Sequence, residues 1–440
     1  MSIEVLKEKV KKEIDKNRDK IIALGRNIYK EPEMGYKEVS TTAKVVDVLR
    51  DLGCHVEENI AVTGCRARIS KGTGPRLAML GELDCISCKG HPDAKNTGEV
   101  HGCGHNIQIA GLLGAAIGLI SSGVLEEIRG NIDFLATPAE EFIDLDYRQQ
   151  LRDKKVIEFF GGKQELIKRG YFDDVDIAMM FHCLDLEENK GLVGTVSNGF
   201  IGKKIKFIGR ASHAGSSPDQ GINALNAAML AINNINAQRE TFKEKDRIRV
   251  HHIITKGGDV VNVVPSEVIM ECYVRARNVE AMIDTNKKVD RALRAGALAI
   301  GAKVEITDIP GYLPILNYKD LDNVFKTNLE LLGLNGKITD QCDFTGSFDF
   351  GDLSHLMPTL HPMIGGIEGS LHSEEYRIVD EELAYIVPAK AMATTAVDLL
   401  YNNGEIANRI IKNNPRKLNK EEYLNWIRAI GKVEIYGEEI

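Results

Sequence analysis

The chain has 440 residues, of which 43% are hydrophobic and 27% are charged, and its formal net charge is −8. This composition is that of a globular protein with ample material for a core, and the length favours two large domains or about three smaller ones. The net negative charge argues against nucleic acid as the main partner, because phosphate binding requires a basic face.

The N-terminal region predicts a helix and no targeting segment. Residues 1–10 are charged and amphipathic and lack the apolar core of a secretory signal. Apolar residues recur near a 3.6-residue period over residues 3–30, which predicts a helix that ends at the Pro- and Gly-containing segment 31–35. No window reaches ~18 apolar residues, so no membrane span is predicted, and the chain is expected in the cytoplasm.

The eight cysteines are expected to be reduced in that compartment. Cys85 and Cys88 have the spacing of a redox pair or a zinc knuckle. No second pair follows at zinc-ribbon spacing, so we predict a structural role for them.

Strands and helices alternate over the first half of the chain. Periodicity and turn residues predict helices at 40–52, 107–121 and 161–169 and strands at 56–59, 66–70, 77–83, 131–137 and 176–181. This alternation predicts an α/β domain with a mostly parallel sheet flanked by helices and right-handed crossovers.

The pattern changes after residue 199, where polar and apolar residues begin to alternate as in half-exposed antiparallel strands. We predict strands at 201–209, 247–255, 268–277 and 303–309, helices at 224–237 and 279–300, and later helices at 321–332, 381–400 and 420–430. The two strand–helix–strand units suggest a smaller α+β domain, residues 200–312, inserted between two halves of the first domain, residues 1–199 and 313–440.

Polar side chains gather where the predicted parallel strands end. Asp84 follows strand 77–83, Glu140 and Glu141 follow strand 131–137, and His182 follows strand 176–181. In such sheets ligands bind beyond the carboxyl ends of the strands, so these side chains should meet at one edge. Carboxylates and imidazoles at one edge are candidate metal ligands.

The hexapeptide His101–Asn106 adds a thiol and an imidazole to the same edge. Cys103 and His105 lie two residues apart, with a glycine before the thiol and another between the two. Such a flexible turn lets both side chains point into one space, which suits a transition metal. A buried cysteine and a capping histidine at a helix start are the alternative, and the hexapeptide alone does not decide between them.

Each remaining polar residue also has an ordinary structural interpretation. The vicinal carboxylates could be solvated charge, and His182 and His372 could be satisfied core or loop residues. His213 is either a surface turn residue or a group that polarises a substrate, and Asn262 could be an ordinary turn residue.

The sequence has no phosphate-binding loop and no Gly-x-Ser-x-Gly elbow, so nucleophilic serine chemistry is not supported.

Taken together, the motifs resemble the co-catalytic metal amidohydrolases of peptidase family twenty, which include aminoacylases, glutamate carboxypeptidases, dipeptidases and auxin-conjugate hydrolases. The matching motifs are, in chain order, Glu33–Tyr36, Thr63–Gly64, Gly102–Asn106, Pro138–Glu141, Asp173–Asp176 with His182, Ser212–Ala214 with Gly221, Gly257–Gly258, Asn262–Pro265, Gly346–Ser347 with Asp349, and His372. The Cys-Gly-His form is similar to the branch in which a cysteine is a metal ligand.

Two details narrow the resemblance further. The segment Gly346–Ser354 with His361–Pro362 resembles the sub-branch of aminobenzoyl-glutamate hydrolases and Xaa-Arg (β-alanyl-lysine) dipeptidases. Asn106 stands where much of the branch has an aspartate. This difference concerns a residue that supports the metal ligands from behind, and it leaves the ligand set unchanged.

The resemblance implies a catalytic di-metal domain, residues 1–199 and 313–440, and a lid and dimerisation domain, residues 200–312. It implies two divalent ions, zinc or else manganese or cobalt, with these ligands: Cys103, His105, Glu141, His182 and His372. Glu140 would be the general base, and Asp84 would support the ligands from behind. Glu82 stands where other branches keep a ligand histidine, so Cys103 and His105 would supply that coordination.

The resemblance implies that the lid contributes His213, which stabilises the oxyanion, and Asn262, which contacts the substrate, both across a dimer; Gly346 and Ser347 would also contact the substrate. The predicted function is hydrolysis of an amide bond of a dipeptide or N-acyl amino acid by a metal-activated water, in a homodimer that pairs through its lid domain, with neither nucleic acid nor membrane as a partner. One alternative is an N-acyl or auxin-conjugate amidohydrolase. Another is a catalytically silent metal-binding partner subunit.

Overall fold

The computed structural model describes residues 1–340 and 342–437. The helices are α1 Ile3–Lys16, α2 Arg18–Lys30, α3 Val39–Asp51, α4 His105–Ser121, α5 Val124–Glu127, α6 Leu145–Asp153, α7 Gly162–Lys168, α8 Ala224–Ala237, α9 Val279–Leu298, α10 Lys319–Leu329, α11 Phe350–Leu356, α12 Val387–Asn413 and α13 Lys420–Ile430. The strands are β1 Val56–Ile60, β2 Gly64–Ser70, β3 Arg76–Glu82, β4 Ile86–Ser87, β5 Glu99–Val100, β6 Asn131–Thr137, β7 Ile177–Met179, β8 His182–Cys183, β9 Gly191–Leu192, β10 Thr195–Val196, β11 Gly199–Ile208, β12 Arg249–Lys256, β13 Glu267–Ala276, β14 Lys303–Pro310, β15 Ile338–Thr339, β16 Cys342–Asp343, β17 Thr359–Leu360, β18 Met363–Ile364, β19 Ile367–Glu368, β20 Arg377–Ile378 and β21 Lys432–Tyr436.

The first of two compact units comprises Met1–Val196, Leu316–Asp343 and Asp352–Lys420. Its largest sheet has the order β1-β2-β6-β3-β7-β17. Strands β6, β3, β7 and β17 run parallel, whereas β1 and β2 join antiparallel at one side. Strand β3 is buried from Leu77 on and has a continuous apolar run in the sequence. Strand β6 is also buried but contains Asp133, which pairs with Arg68 and Arg76.

Helix α4 forms the centre of this unit. All its residues from His105 to Leu119 are buried, and it packs against α1, α2, α12 and β3. Glycines along the helix permit this close packing, since a Cβ at Gly114 would come within 2.7 Å of the Ala389 Cβ. The segment Glu382–Asn413 is long and apolar enough to cross a membrane by length and composition, but 89% of its most apolar window is buried, as in a core helix.

The second unit comprises Ser197–Ile315, Phe344–Gly351 and the part of the chain from Glu421 on. Its antiparallel sheet has the order β12-β13-β11-β14-β21. Helices α8 and α9 pack against each other and against β11 and β13. The fold class is therefore confirmed: a mostly parallel α/β unit with a separate α+β unit.

Local features that differ from the prediction include the N-terminal helix, helix α6 and strand β21. The helix predicted over residues 3–30 is two helices, because Asn17 between them leaves the helical conformation at φ −102° and ψ 11°. Helix α6 and strand β21 were not predicted. Helix α6 buries only Arg148, so its sequence carries no apolar stripe.

Candidate metal centre

The carboxyl ends of the parallel strands carry the candidate site. Strand β3 ends at Glu82 and leads to Asp84, and strand β6 leads through Pro138 to Glu140 and Glu141. Helix α4 begins at His105 on the same edge, because Gly104 before it adopts a left-handed conformation, with φ 84°. A side chain would not fit there, since a Cβ on Gly104 would meet the Cys183 sulfur at 2.1 Å.

Cys103, His105 and His182 form the first group of candidate ligands. Their ligand atoms all lie within 4.8 Å of one another, and all three residues are buried. Cys103 Sγ lies 3.5 Å from His182 Nε2. Nδ1 of His105 donates to the Asp84 carbonyl and Nδ1 of His182 donates to the Cys183 carbonyl, so each Nε2 can bind an ion.

Cys103, Glu141 and His372 form the second group, again within 4.8 Å of one another. His372 Nε2 lies 3.0 Å from Glu141 Oε1. His372 is exposed and has a left-handed backbone, with φ 64°, and its N–H donates to the Gly102 carbonyl. Cys103 therefore belongs to both groups of candidate ligands.

The donor set fits such ions. Bonds of about 2.0–2.3 Å to zinc place two ligands of one ion about 3–4 Å apart, which covers both the 3.5 Å and 3.0 Å spacings. Thiolate, imidazole and carboxylate are the ligand types expected for zinc, and the last two also suit manganese or cobalt.

A third group consists of Glu82, His105 and Glu140. Glu140 Oε2 lies 3.9 Å from His105 Nε2. Glu82, predicted to lie outside the ligand set, is closer, at 3.0 Å from the same nitrogen. Its carboxylate also accepts from the buried Lys163 Nζ at 2.6 Å and from Gln108 Nε2 at 2.8 Å. Sequence reasoning missed Lys163 and Gln108, because a polar residue in a helix gives no sign that it is buried.

Asp84 connects the two ligand segments. Its Oδ2 accepts from the Glu141 N–H at 2.9 Å, and its Oδ1 lies 3.2 Å from His105 Nδ1. Asn106, beside His105, donates from Nδ2 to the Gly25 carbonyl and the Tyr385 hydroxyl. It therefore anchors the start of α4 to neighbouring helices.

The charges of the metal-free site stabilise one another. Burial and Glu141 raise the pKa of the Cys103 thiol, but the three histidines outweigh them and lower it to about 6. Burial raises the pKa of Glu141, but His372 above all lowers it to about 2. Glu141 in turn raises the pKa of His372 to about 12 against the effect of burial. Anionic sulfur and oxygen donors are therefore present at neutral pH, while protons occupy the imidazoles.

The second unit brings His213 and Asn262 together. The Ala214 N–H donates to the Asn262 carbonyl at 3.0 Å, and His213 forms a β-bridge with Val263. His213 Nδ1 accepts from two backbone N–H groups, so Nε2 carries the proton of the neutral ring and can donate.

Gly346 and Ser347 also belong to the second unit. The Gly346 carbonyl accepts from the Asn198 N–H at 2.9 Å. The rings of Phe344 and Phe348 on either side are stacked, with centroids 4.9 Å apart. These contacts fix the loop that was predicted to touch the substrate.

Comparison with known proteins gives three kinds of match. A family model described as a peptidase dimerisation domain matches residues 196–300. The chain is 30% identical to an Xaa-Arg dipeptidase of Mus musculus, over 96% of this chain and 95% of that protein. It is 27% identical to an N-acyl-L-amino acid amidohydrolase of Geobacillus stearothermophilus, over 72% of this chain and 83% of that protein. The structure of a dinuclear metal-binding peptidase of the M20 family from Bacillus subtilis matches with a TM-score of 0.63 and 22% identity, over 87% of this chain and 98% of that chain.

Proposed function

Because the chain belongs to the M20 family of metal-dependent peptidases and amidohydrolases, we propose that it hydrolyses the amide bond of a dipeptide at the centre around Cys103. The observation that carries this proposal is the pair of ligand groups that share Cys103, with the carboxylate of Glu140 beside them. A protein that only binds metal has no use for a carboxylate outside the ligand set.

Two divalent ions would be held by the predicted ligands. One ion would be held by Cys103, His105 and His182, and the other by Cys103, Glu141 and His372. Bound there, the ions would lower the pKa of a water molecule and polarise the amide carbonyl. The shared thiolate favours zinc, and we propose zinc as the ion in the cell, with manganese or cobalt able to replace it.

Glu140 would move the proton. It takes a proton from the attacking water and returns it to the leaving amine nitrogen. His213 donates a hydrogen bond to the developing oxyanion, and Asn262, Gly346 and Ser347 contact the substrate. This assignment of the second unit rests on the family resemblance and on the donor role left to His213 Nε2.

The enzyme is proposed to work as a homodimer through the second unit, in the cytoplasm. The family model matched there describes a dimerisation domain. Apolar side chains are exposed on that unit, among them Met229 at 53%, Ile253 at 51% and Val261 at 99%. The seven cysteines whose side chains the structure describes are free thiols, which is consistent with a reducing compartment.

The test is a hydrolysis screen of the purified protein loaded with zinc, manganese or cobalt. Dipeptides with a basic C-terminal residue come first, because one relative is an Xaa-Arg dipeptidase. N-acetyl amino acids and auxin conjugates test the second candidate, which the similarity to an N-acyl-L-amino acid amidohydrolase favours. Stoichiometric metal binding without hydrolysis of any substrate would instead support a silent metal-binding subunit.

Glu140→Gln separates binding from chemistry. We expect it to bind metal normally and to lose activity, whereas Glu368→Gln, an exposed carboxylate paired with Arg377, should behave as wild type. Wild-type turnover by Glu140→Gln would contradict the role of Glu140.

A further inference from the structure

The peptide Ala139–Glu141, which carries both Glu140 and the candidate ligand Glu141, has an unfavourable backbone. Ala139 adopts φ 53°, in the left-handed region that residues with a Cβ rarely occupy. Such a conformation persists only where the surrounding structure enforces it. The contacts of this peptide therefore show what holds Glu140 in place.

In the peptide Ala139–Glu141, the backbone N–H groups of the two residues on either side of Glu140 donate to buried carboxylates. The Ala139 N–H donates to Glu38 Oε1 at 2.8 Å, and the Glu141 N–H donates to Asp84 Oδ2 at 2.9 Å. Glu38 is itself fixed, since its other oxygen accepts from the Thr63 hydroxyl.

The two carbonyls on either side of Glu140 accept from one guanidinium. Arg148 Nη1 lies 3.4 Å from the Ala139 oxygen, and Nη2 donates to the Glu141 oxygen. Nη1 also donates to the Phe160 carbonyl at 2.7 Å. Arg148 thus spans Glu140 from one neighbour to the other.

Arg148 is costly to bury. It is 1% exposed, and Nη1 and Nη2 donate to the backbone carbonyls of Ala139, Glu141 and Phe160. The aromatic ring of Tyr36 lies 5.5 Å from the guanidinium carbon. A buried cation needs compensation, and here carbonyl oxygens supply it, two of them in the loop that carries the candidate ligand Glu141.

We propose that Arg148 and Glu38 are positioning residues, which fix the directions of Glu140 and Glu141 by holding the peptide groups on both sides of Glu140. This inference rests on the proposed function, because it assigns Glu141 to one ion. Cys103, His105 and His182 lie on other segments, so loss of Arg148 should weaken the ion of Glu141 and His372 selectively.

The test compares Arg148→Met with wild type by zinc titration calorimetry and by steady-state kinetics. We expect the affinity for one of two ions to fall by ~10–100-fold. We expect kcat to fall by ~100-fold with KM little changed, because the base is misplaced. The cobalt absorption spectrum should resemble that of Glu141→Gln and differ from that of His182→Gln.

Lys203→Met is the matched control. Lys203 is another fully buried cation, paired with Asp290 and Asp308 in the second unit. The Lys203→Met substitution should lower the melting temperature, while both ions bind as in wild type. Arg148→Lys, which retains the charge but reaches fewer carbonyls, should give an intermediate kcat and keeps the comparison possible if Arg148→Met does not fold.

Wild-type affinities for both ions in the Arg148 variants would overturn the inference. So would an equal loss at both ions, which would indicate a general structural role. If the wild-type protein binds two ions but hydrolyses nothing, the proposed function fails, and the affinity comparison still decides the role of Arg148.

Discussion

The buried pair Lys163–Glu82 allows the electrostatics of the centre to be tested quantitatively. Lys163 Nζ lies 2.6 Å from Glu82 Oε1, and neither side chain has exposed area. In Lys163→Met, the carboxylate would keep Gln108 at 2.8 Å and His105 at 3.0 Å but lose Lys163, the cation with the largest effect on it. Breaking a buried pair costs about 3–5 kcal/mol, and because two partners remain we expect a loss of about 3 kcal/mol in the free energy of unfolding.

Urea unfolding of the metal-free protein, followed by circular dichroism, measures this loss. Lys168→Met, in the same helix α7 but partly exposed, is the control and should change stability by less than about 1 kcal/mol. The double variant Glu82→Gln/Lys163→Met should recover about 2 kcal/mol, because the buried carboxylate charge that has lost Lys163 is gone. A double variant no more stable than Lys163→Met would refute the reasoning.

The pH dependence of the stabilisation by Glu82, measured as the free energy of unfolding, has a defined sign. Burial raises the pKa of Glu82, but Lys163 and then His105 outweigh burial and hold it well below its ordinary value. A lowered pKa in the folded protein means that the stabilisation is full above the unfolded pKa of about 4.3 and is lost as the pH falls through the folded value. The contribution of the Glu82 carboxylate to the stability of the wild type should therefore stay constant between about pH 6 and 8 and be lost only in acid, as urea unfolding at several pH values would measure.

Three further predictions concern the metal ligands and their support. Because the imidazoles are protonated in the metal-free site, zinc binding at pH 7 should release about three protons, measurable by calorimetry in buffers of different ionisation enthalpy; no release would contradict the raised pKa of His372. Cys103→Ser should lose both ions at micromolar zinc, whereas Cys88→Ser should retain both; retention of either ion by Cys103→Ser would contradict a role of Cys103 in both ligand groups. Gly104→Ala should abolish metal binding, because its Cβ would meet the Cys183 sulfur, whereas Gly123→Ala, with a similar φ but open space around it, should cost only about 1 kcal/mol in stability and bind metal normally.

The sequence predicts the fold well where burial follows a simple period. Strand β6, helix α8 and helix α13 have the predicted bounds, 131–137, 224–237 and 420–430. The gathering of polar residues at one sheet edge follows from parallel strands, whose carboxyl ends meet there. Helix α6 was missed because a helix that buries one arginine has no apolar stripe to recognise.

The support of the site was harder to predict than its candidate ligands. Asp84 could be identified from its place after a strand, whereas Lys163 and Gln108 lie in helices, where polar residues are usually solvated. Glu38 and Arg148 act through backbone groups, which leave no pairing pattern in the sequence. Contacts of this kind depend on which segments meet in three dimensions.

The segment that follows Glu141 supplies two of the buried side chains that support the candidate site. It forms α6 and α7, which carry the buried cations Arg148 and Lys163. Arg148 holds the loop after β6, and Lys163 holds the carboxylate at the end of β3. Lys163 lies beside the buried Glu82 carboxylate and lowers the repulsion among the carboxylates of the site, whereas Arg148 holds the carbonyls of Ala139 and Glu141. Together these contacts can hold the ligands in place before an ion arrives. A substitution in α6 or α7 that displaces either cation should therefore weaken metal binding, although neither helix carries a candidate ligand.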